Sequence, residues 1–507
     1  MKNSIGKLFT QFFDRLHALL PAQIFKYSPV AAAALVTLAG PVVPVAGQVQ
    51  FQALYSFTGG GDGSNPNAGL VQASDGNLYG TTYNGGTIGV GTVFRITTNG
   101  AYTSLYSFSG NVYGGTDGGN PYYGSLVQAS DGNLYGTTEE GGTNGDGTVF
   151  QITTNGAEAV LYSFTGGNDG RYAFGGLVQA SDGNLYGTTG NGGTNGYGTV
   201  FRMTINGALT SLYSFTGGND GGNPLAGLVQ ASDGNLYGTT AYDNTLGTVF
   251  RITTNGALTT LHFFYGGSDG GYPQAGLVQA SDGNLYGTTE FGGVANWYAG
   301  SGGTVFRITT NGALTSLYSF TGGNDGGNPL AGLVQASDGN LYGTTFYGGN
   351  TNLNGYGYGT VFRITTNGVE TVLYSFTGEG DGGNPVAGLV QASDGKLYGT
   401  TEYGGTNGYG TIFALLVPIP LYIQLNGQTV VLTWNDPASV FFLQAAPTMD
   451  DVFTNIPGAT SPYTNPITGS QQFFRLTSTA PPVVINPIGG GPGGPGGHPS
   501  ALPVPLR

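Results

Sequence analysis

From about residue 50 onward, short apolar runs alternate with clusters of Gly, Asn, Asp and Thr, and the alternation recurs along the chain. In the copy that begins at Gly227, the runs Leu228–Ser232, Asn235–Thr240, Thr248–Thr253 and Leu258–Phe264 each read as a strand bounded by turn residues. Asp233-Gly234 joins the first pair and Asn255-Gly256 the second, and both dipeptides predict two-residue type I′ hairpins. Such a turn sets Ala231 opposite Leu236, Gln230 opposite Tyr237 and Val229 opposite Gly238. Apolar groups then lie on both faces of the unit, so it needs a packed neighbour on each side.

Three strings mark the copies. Ser-Asp-Gly-Asn-Leu-Tyr-Gly-Thr-Thr starts at Ser74, Ser130, Ser181, Ser232, Ser281 and Ser337, and at Ser393 with Lys396 in place of Asn. Leu-Tyr-Ser-Phe starts at Leu54, Leu105, Leu161, Leu212, Leu317 and Leu373, with Leu-His-Phe-Phe at Leu261. Gly-Thr-Val-Phe starts at Gly91, Gly147, Gly198, Gly247, Gly303 and Gly359, with Gly-Thr-Ile-Phe at Gly410. Each string occurs seven times at intervals of 49 to 56 residues, too long for a solenoid of parallel strands. Four antiparallel strands per copy predict an all-β fold, a seven-bladed β-propeller of four-stranded antiparallel blades over residues 48–415. The array begins with a lone outer strand, Gln52–Phe57, and ends with three strands, Leu389 to Ala414. The N-terminal strand is therefore expected to complete the last blade and close the ring.

These motifs resemble the GloVer tandem repeat of exported bacterial proteins of the Verrucomicrobia type, over residues 51–415 and in all seven copies. The resemblance implies a propeller-like fold and no enzymatic activity. Members often end in a sorting signal, whereas the tail here, Pro481 to Arg507, has Pro and Gly but no hydrophobic span. Between them, residues 416–478 resemble a small C-terminal β-sandwich of the immunoglobulin or fibronectin type. Val431-Leu432-Thr433-Trp434 and Phe473-Phe474-Arg475-Leu476 carry that likeness, and Trp434 is expected in its core. Residues 479–507 read as a disordered Pro- and Gly-rich tail.

Composition adds a compartment and removes some partners. Lys2, Lys7, Arg15 and Lys26 precede an apolar run from Pro29 to Ala46, so residues 1–47 read as a signal peptide and the protein as exported, to the medium or the cell surface. No later run can span a bilayer. Removing that segment leaves 9 Lys and Arg against 26 Asp and Glu, a net charge of −17 that repels phosphate backbones and excludes nucleic acid as a partner. Cysteine is absent, so neither disulfides nor thiol chemistry contribute. The chain is expected to act as a monomer.

Two families of aspartate recur. Asp75, Asp131, Asp182, Asp233, Asp282, Asp338 and Asp394 sit in the Asp-Gly turns and read as turn chemistry. Asp62, Asp117, Asp169, Asp220, Asp269, Asp325 and Asp381 lie in Gly-rich loops between blades. Asx-turn structure is the favoured reading there, and calcium at Asp169, Asp220 and Asp325 the alternative, with no other cofactor implied. Arg95, Arg202, Arg251, Arg307 and Arg363 read as structural, and His262 as a drifted Tyr.

Meander topology sends the inter-blade loops and the loops between second and third strands to one face, where the copies differ. Tyr242, Phe291, Tyr347 and Tyr403 share one repeat position there, and Trp297 and Tyr298 lie in an insertion. Aromatics beside acids and amides suit stacking on sugar rings or anchoring a protein. The expectation is an exported, non-catalytic binding or scaffold module for a glycan or an extracellular protein. The alternative is a carbohydrate-active enzyme, a glycoside hydrolase or lyase, using Asp146, Glu139, Glu140, Asp243, Glu290 or Glu402. Glu139, Glu290 and Glu402 share one repeat position, which weakens the case for unique roles.

Overall fold

The computed structural model describes residues 49–110, 116–241, 246–293, 302–352, 355–419, 421–426, 429–434, 436, 441–447, 451–466 and 472–478. Expectations for the signal segment, the tail, and Tyr242, Asp243, Trp297 and Tyr298 lie outside these residues. Seven four-stranded antiparallel sheets follow the seven copies. In blade 1 the strands are Val71–Gln72, Leu78–Thr82, Thr92–Ile96 and Tyr102–Ser107, called A to D from the axis outward. Strand Gln50–Ser56 pairs antiparallel with Thr411–Leu416, from Gln50 opposite Leu416 to Ser56 opposite Thr411. It is strand D of blade 7, so the ring is closed as the ends of the array predict.

No blade holds a core of its own. Each core is a seam between two blades, as in the cluster that joins Ala180, Tyr186, Val200 and Phe215 to Leu228, Leu236, Phe250 and Ile252 of the next copy. At the closing seam Leu70, Leu78, Phe94 and Ile96 of blade 1 meet Tyr398, Ile412 and Ala414 of blade 7, with Phe57 from the N-terminal segment. All five residues of each Leu-Tyr-Gly-Thr-Thr strand are buried, because strand B has a blade on either side.

Polar repeats explain themselves as clasps between blades. The Ser74 amide donates to Gln128 Oε1 of the next blade at 2.7 Å, and the same bond joins Ser130 to Gln179, Ser181 to Gln230, Ser232 to Gln279, Ser281 to Gln335 and Ser337 to Gln391. Ser393 to Gln72, at 2.7 Å, returns the series to blade 1. At the axis, just before the A strands, six blades place a glycine and blade 2 places Ser125, and the backbones pass close to one another. A Cβ on Gly227 would lie 2.6 Å from the Gly176 carbonyl oxygen, and one on Gly332 2.9 Å from that of Gly276.

The turns differ from expectation by one residue. Gln230 faces Leu236 and Val229 faces Tyr237. Ala231 donates to the Asn235 carbonyl and accepts from Gly234, so Ser232-Asp233-Gly234 is a three-residue loop with Gly234 at φ +81°. The Asn255-Gly256 turn has the same pattern, with Ile252 facing Leu258. Both loops place a glycine at positive φ, Gly234 and Gly256, and in the first the Asp233 carboxylate adds a local bond from the Asn235 amide at 3.0 Å. A further irregularity recurs in strand D, where the leucine of Leu-Tyr-Ser-Phe is a bulge in every blade, skipped in the register at Leu54, Leu105 and Leu161 and at their equivalents.

After the ring, Tyr422–Asn426, Thr429–Thr433 and Tyr463–Pro466 form one three-stranded sheet, and Thr454–Asn455, Phe441–Ala446 and Phe473–Ser478 another. Leu421, Val430, Leu432, Trp434, Leu443 and Phe474 form their common core, with Trp434 in it as expected. The two short strands at 454–455 and 463–466 were not legible in the sequence.

Two outcomes test this architecture. Deleting residues 48–58 removes strand D of blade 7 and Phe57 from the closing seam; a fall in melting temperature of more than about 10 °C is expected, and an unchanged melt would refute closure by this strand. Gly227→Ala places a methyl against the Gly176 carbonyl and is expected to cost roughly 1–3 kcal/mol in urea unfolding.

Candidate functional site: a pit on the axis with carboxyls beside it

The two faces of the ring are chemically different. On the turn face each Asp-Gly turn repeats one network. Asp75 accepts from the Asn77 amide and side chain and, at 2.7 Å, from the Tyr79 hydroxyl. Burial works against ionisation there, but the bonds from Tyr79 and Asn77, with the charge of Arg95, hold the Asp75 carboxyl below its ordinary range. In blade 2, Gln151 replaces arginine and donates to the Tyr135 hydroxyl at 2.9 Å. These arginines therefore brace the Asp–Tyr pair.

The inter-blade aspartates are engaged in the same way. Asp220 accepts from the Tyr213 hydroxyl at 2.9 Å, from the Thr216 amide at 2.8 Å and from the Thr216 hydroxyl. Asp169 and Asp325 have the equivalent donors, Tyr162 with Thr165 and Tyr318 with Thr321. Three donors on one carboxylate favour the turn reading at these positions over calcium. His262 Nε2 stands 3.3 Å from Asp269 Oδ2, where the other copies place a tyrosine hydroxyl. It occupies the tyrosine's place, as the sequence suggests.

On the opposite face the inter-blade loops bridge to the loops between strands B and C, Gly271 to Phe291, Gly327 to Tyr347 and Gly383 to Tyr403. Within that face the axis opens into a cavity of about 340 Å³. All seven blades line it with the residues just before their A strands, Gly, Ala and Leu with Ser125 in blade 2, and Asn67, Tyr123, Leu225, Gln274, Leu330 and Val386 line its upper wall.

Three carboxyls stand on the same face, outside the cavity's own lining: Glu290 accepts from Gln274 of its wall, Glu402 is tied to Asn67 of its wall, and Glu139 shares Tyr122 with Glu402. Glu139, Glu290 and Glu402 each follow the second threonine of strand B, and burial pushes each up to about 7. At Glu139 the neighbouring Glu140 adds to the rise; at Glu290 a bond from Gln274 opposes it, and at Glu402 bonds from Tyr403 and Asn67 do. The carboxyls and tyrosines act on one another, so they form one site. Glu402 and Glu290 both raise Tyr123 and Tyr347, and Glu402 and Glu139 both raise Tyr122, in each case behind the larger effect of burial.

The rim is aromatic where the repeat is broken. Blade 2 has one extra residue before strand A, which delivers Tyr122 and Tyr123, with ring centres 3.9 Å apart and hydroxyls 3.0 Å apart. Tyr122 also touches Tyr83 and Phe174 edge-on. The distortion has a visible cost: Thr81 Oγ1 is buried without a partner, whereas Thr137, Thr188, Thr239, Thr288 and Thr344 donate to a carbonyl of the next blade.

A second departure involves the left-handed backbone position of the inter-blade loop. In five copies it is Asn65, Asn120, Asn223, Asn328 or Asn384, with φ of 52–54°. Each of these amides donates to a carbonyl of the preceding blade, at Glu402, Tyr83, Gly190, Glu290 and Phe346 respectively. In the other two copies Tyr172 and Tyr272 adopt φ 57°. An aromatic residue is strained there and cannot make the amide bond, and strain of this kind concentrates at functional sites. Tyr272 meets Phe291 edge-on at 5.6 Å and feels the Glu290 charge.

Of the aromatics expected on this face, Phe291, Tyr347 and Tyr403 lie at the rim, with Tyr403 40% exposed. Sequence reasoning discounted the three glutamates because they share a repeat position, and passed over Asn67 and Gln274. Equivalent positions on a closed ring converge on the axis, and that was the available signal.

This geometry defines a closed seven-bladed β-propeller with a pit on its axis, lined by Gly, Ala, Leu and Val apart from Asn67, Tyr123, Ser125 and Gln274, with Glu290 and Glu402 beside its wall. The chain belongs to the Gloeobacter/Verrucomicrobia repeat family, whose profile matches residues 41–246 and 228–429. No curated protein matches it. Solved structures with a similar fold include the extracellular domain of a proposed one-component system from B. thetaiotaomicron, at 13% identity and TM-score 0.46, covering 86% of this chain and 58% of that one. A proposed glucose dehydrogenase-type oxidoreductase from Thermus thermophilus has 17% identity and TM-score 0.38, with 73% of this chain and 100% of that one covered. A protein from Dyadobacter fermentans has 11% identity and TM-score 0.39, with 74% and 99% covered. This chain spans a little over half of the first, and the likenesses concern the fold alone.

The pit carboxyls predict a pH dependence. A carboxyl raised from 4.5 to about 7 by burial favours the folded state while protonated, and that contribution is lost as pH rises through about 7. Glu290→Gln stays neutral throughout. The variant should match the parent near pH 4 and exceed its stability near pH 8 by roughly 2–3 kcal/mol in urea unfolding. A gain of equal size at both pH values would contradict burial as the cause.

Proposed function

We propose that the protein is an exported, non-catalytic binding module whose axial pit takes a saccharide. The observation that carries this reading is the convergence of Asn67, Gln274 and Tyr123 from different blades on one concave site, with Glu290 and Glu402 tied to its two amides. Tyrosine faces offer stacking surfaces to the apolar sides of sugar rings, and carboxyls and amides offer hydrogen-bond partners to hydroxyls. A cavity of about 340 Å³ is of the size that small-molecule sites use. Export rests on the N-terminal sequence pattern.

The second reading, a carbohydrate-active enzyme, has one observation in its favour: carboxyls near 7 can exchange protons at neutral pH. Glycoside hydrolysis, however, works with carboxyls whose environments drive them apart, one kept protonated and one ionised. The three pit glutamates are raised alike, which supports binding over turnover.

Titration calorimetry with a panel of soluble oligosaccharides tests the binding. A saccharide ligand is expected, and Tyr403→Ala should weaken it roughly 5- to 10-fold. Silence across the panel, or binding that Tyr403→Ala leaves untouched, would remove the pit from consideration. Reducing-sugar release that disappears in Glu139→Gln would favour the enzyme instead.

A further inference from the structure

We infer that the saccharide recognised by the axial pit carries free amino groups, as a glucosamine oligomer does, and that its ammonium is held between Glu290 and Glu402. The inference rests on the reading of the pit as a saccharide site and adds the charge of the ligand.

Charge inventory is the first argument. Between residues 51 and 415 the chain has seven cationic side chains, Arg95, Arg171, Arg202, Arg251, Arg307, Arg363 and Lys396. Arg95, Arg202, Arg251, Arg307 and Arg363 lie in strand C, opposite the tyrosines of the turn-face networks. Lys396 pairs with Asp394 at 3.3 Å in the Asp-Gly turn of blade 7. Arg171 alone belongs to the pit face, and it lies over the Tyr172 ring, 5.0 Å from its centre. No cation lines the cavity among the described residues. The inter-blade and B–C loop stretches outside the description, 111–115, 242–245, 294–301 and 353–354, contain no Lys or Arg. No Lys or Arg acts on Glu139, Glu290 or Glu402, so the carboxyls beside the pit have no counter-charge among the described residues.

The second argument is independent of the acids. Asn67 lines the pit and is 4% exposed, yet its Oδ1 is buried without a hydrogen-bond donor. Its amide group serves the Glu402 carboxyl. A buried acceptor with no donor is costly, and a ligand N–H satisfies it. Gln274 plays the matching part at Glu290, donating from Nε2 to that carboxylate. Two carboxyls, each steadied by an amide, together with the unmet acceptor beside one of them, form a site with acceptors in surplus.

A neutral sugar can donate hydroxyl protons to such a site but gives the buried carboxyls no charge against which to ionise. An ammonium supplies three donors and the missing positive charge, and the electron-rich faces of Tyr123, Tyr347 and Tyr403 favour a cation further. An acetylated amine has one donor and no charge. The pit should therefore separate an amino sugar from its acetylated form.

The test compares three ligands of equal length, the trimers of glucosamine, N-acetylglucosamine and glucose (β-1,4-linked), by calorimetry on the full chain. Near pH 6.5 the free amine retains its proton, and about 0.3 M salt screens the exposed acids of the surface. The glucosamine trimer is expected to bind at least roughly tenfold more tightly than the acetylated one. In the Glu290→Gln/Glu402→Gln double variant the ratio should fall to near one. Glu379→Gln, at an exposed loop position of the same face, should retain it. A thermal melt establishes that each variant is folded, and Glu139→Gln, expected to reduce the ratio in part, gives a second reading if the double variant does not fold. Equal binding of the three trimers, or a preference that survives the double variant in folded protein, overturns the inference while leaving a saccharide site in place. Binding of none of them overturns both.

Discussion

Everything in this molecule depends on seams. A blade of two hairpins exposes apolar groups on both faces, and each core here is shared between one blade and the next. Stability therefore belongs to neighbours rather than to units, as in other repeat architectures, with the added condition that the array must close. Three devices meet that condition at different radii. Near the axis, glycine brings the A strands into backbone contact; on the turn face the Ser–Gln bonds tie each blade to the next; at the outside, Gln50–Ser56 completes the last sheet. The glycines also decide the width of the pit, so the functional geometry is a by-product of how the ring closes.

Closure divides the repeat into two kinds of position. Those that make turns and clasps must do the same work seven times, and they hardly vary. The Asp–Asn–Tyr network of the turns is one such set, and its exceptions, Lys396 and Gln151, keep the same partners. Positions on the pit face are released from that duty. The left-handed loop residue shows the boundary between the two. Asn at Asn223 ties its loop to the carbonyl of Gly190, whereas Tyr172 and Tyr272 carry an aromatic ring in place of that amide. A strained aromatic at this position makes sense where something other than ring stability is being selected.

The fold was almost wholly legible because its signal is repeated: strand number, blade number and the closing strand all follow from counting ends. What the sequence concealed was register. Asp233-Gly234 satisfies the rule for a two-residue turn, but the Asp233 carboxylate binding the Asn235 amide favours the three-residue loop. A slip of one residue would ordinarily betray itself by burying the wrong face. Here strand B is buried on both faces, so Val229 opposite Tyr237 is as acceptable as Val229 opposite Gly238, and the pattern cannot tell them apart. The site was half legible. Phe291, Tyr347 and Tyr403 were found through their exposure to variation, but the glutamates were discounted by an argument sound for a line of repeats and misleading for a circle. Equivalent positions in a linear array lie far apart; around an axis they face one another.

That distinction bears on how a nearly symmetric ring acquires a specific site. Three glutamates at one repeat position would repel one another and resist burial wherever they met, and here burial already raises each of them to about 7. Had all seven copies carried the acid, the accumulated charge would oppose closure itself. The remaining four copies place Tyr83, Gly190, Ala241 and Phe346 there instead, separating the acids by uncharged residues. The blades that carry acids are the second, fifth and seventh, so no two acids lie in adjacent blades. Spacing of this kind holds the electrostatic cost down, and none of the three acids acts on another. The repeat supplies the circle, and the choice of which copies depart from it supplies the charge pattern that a ligand can read.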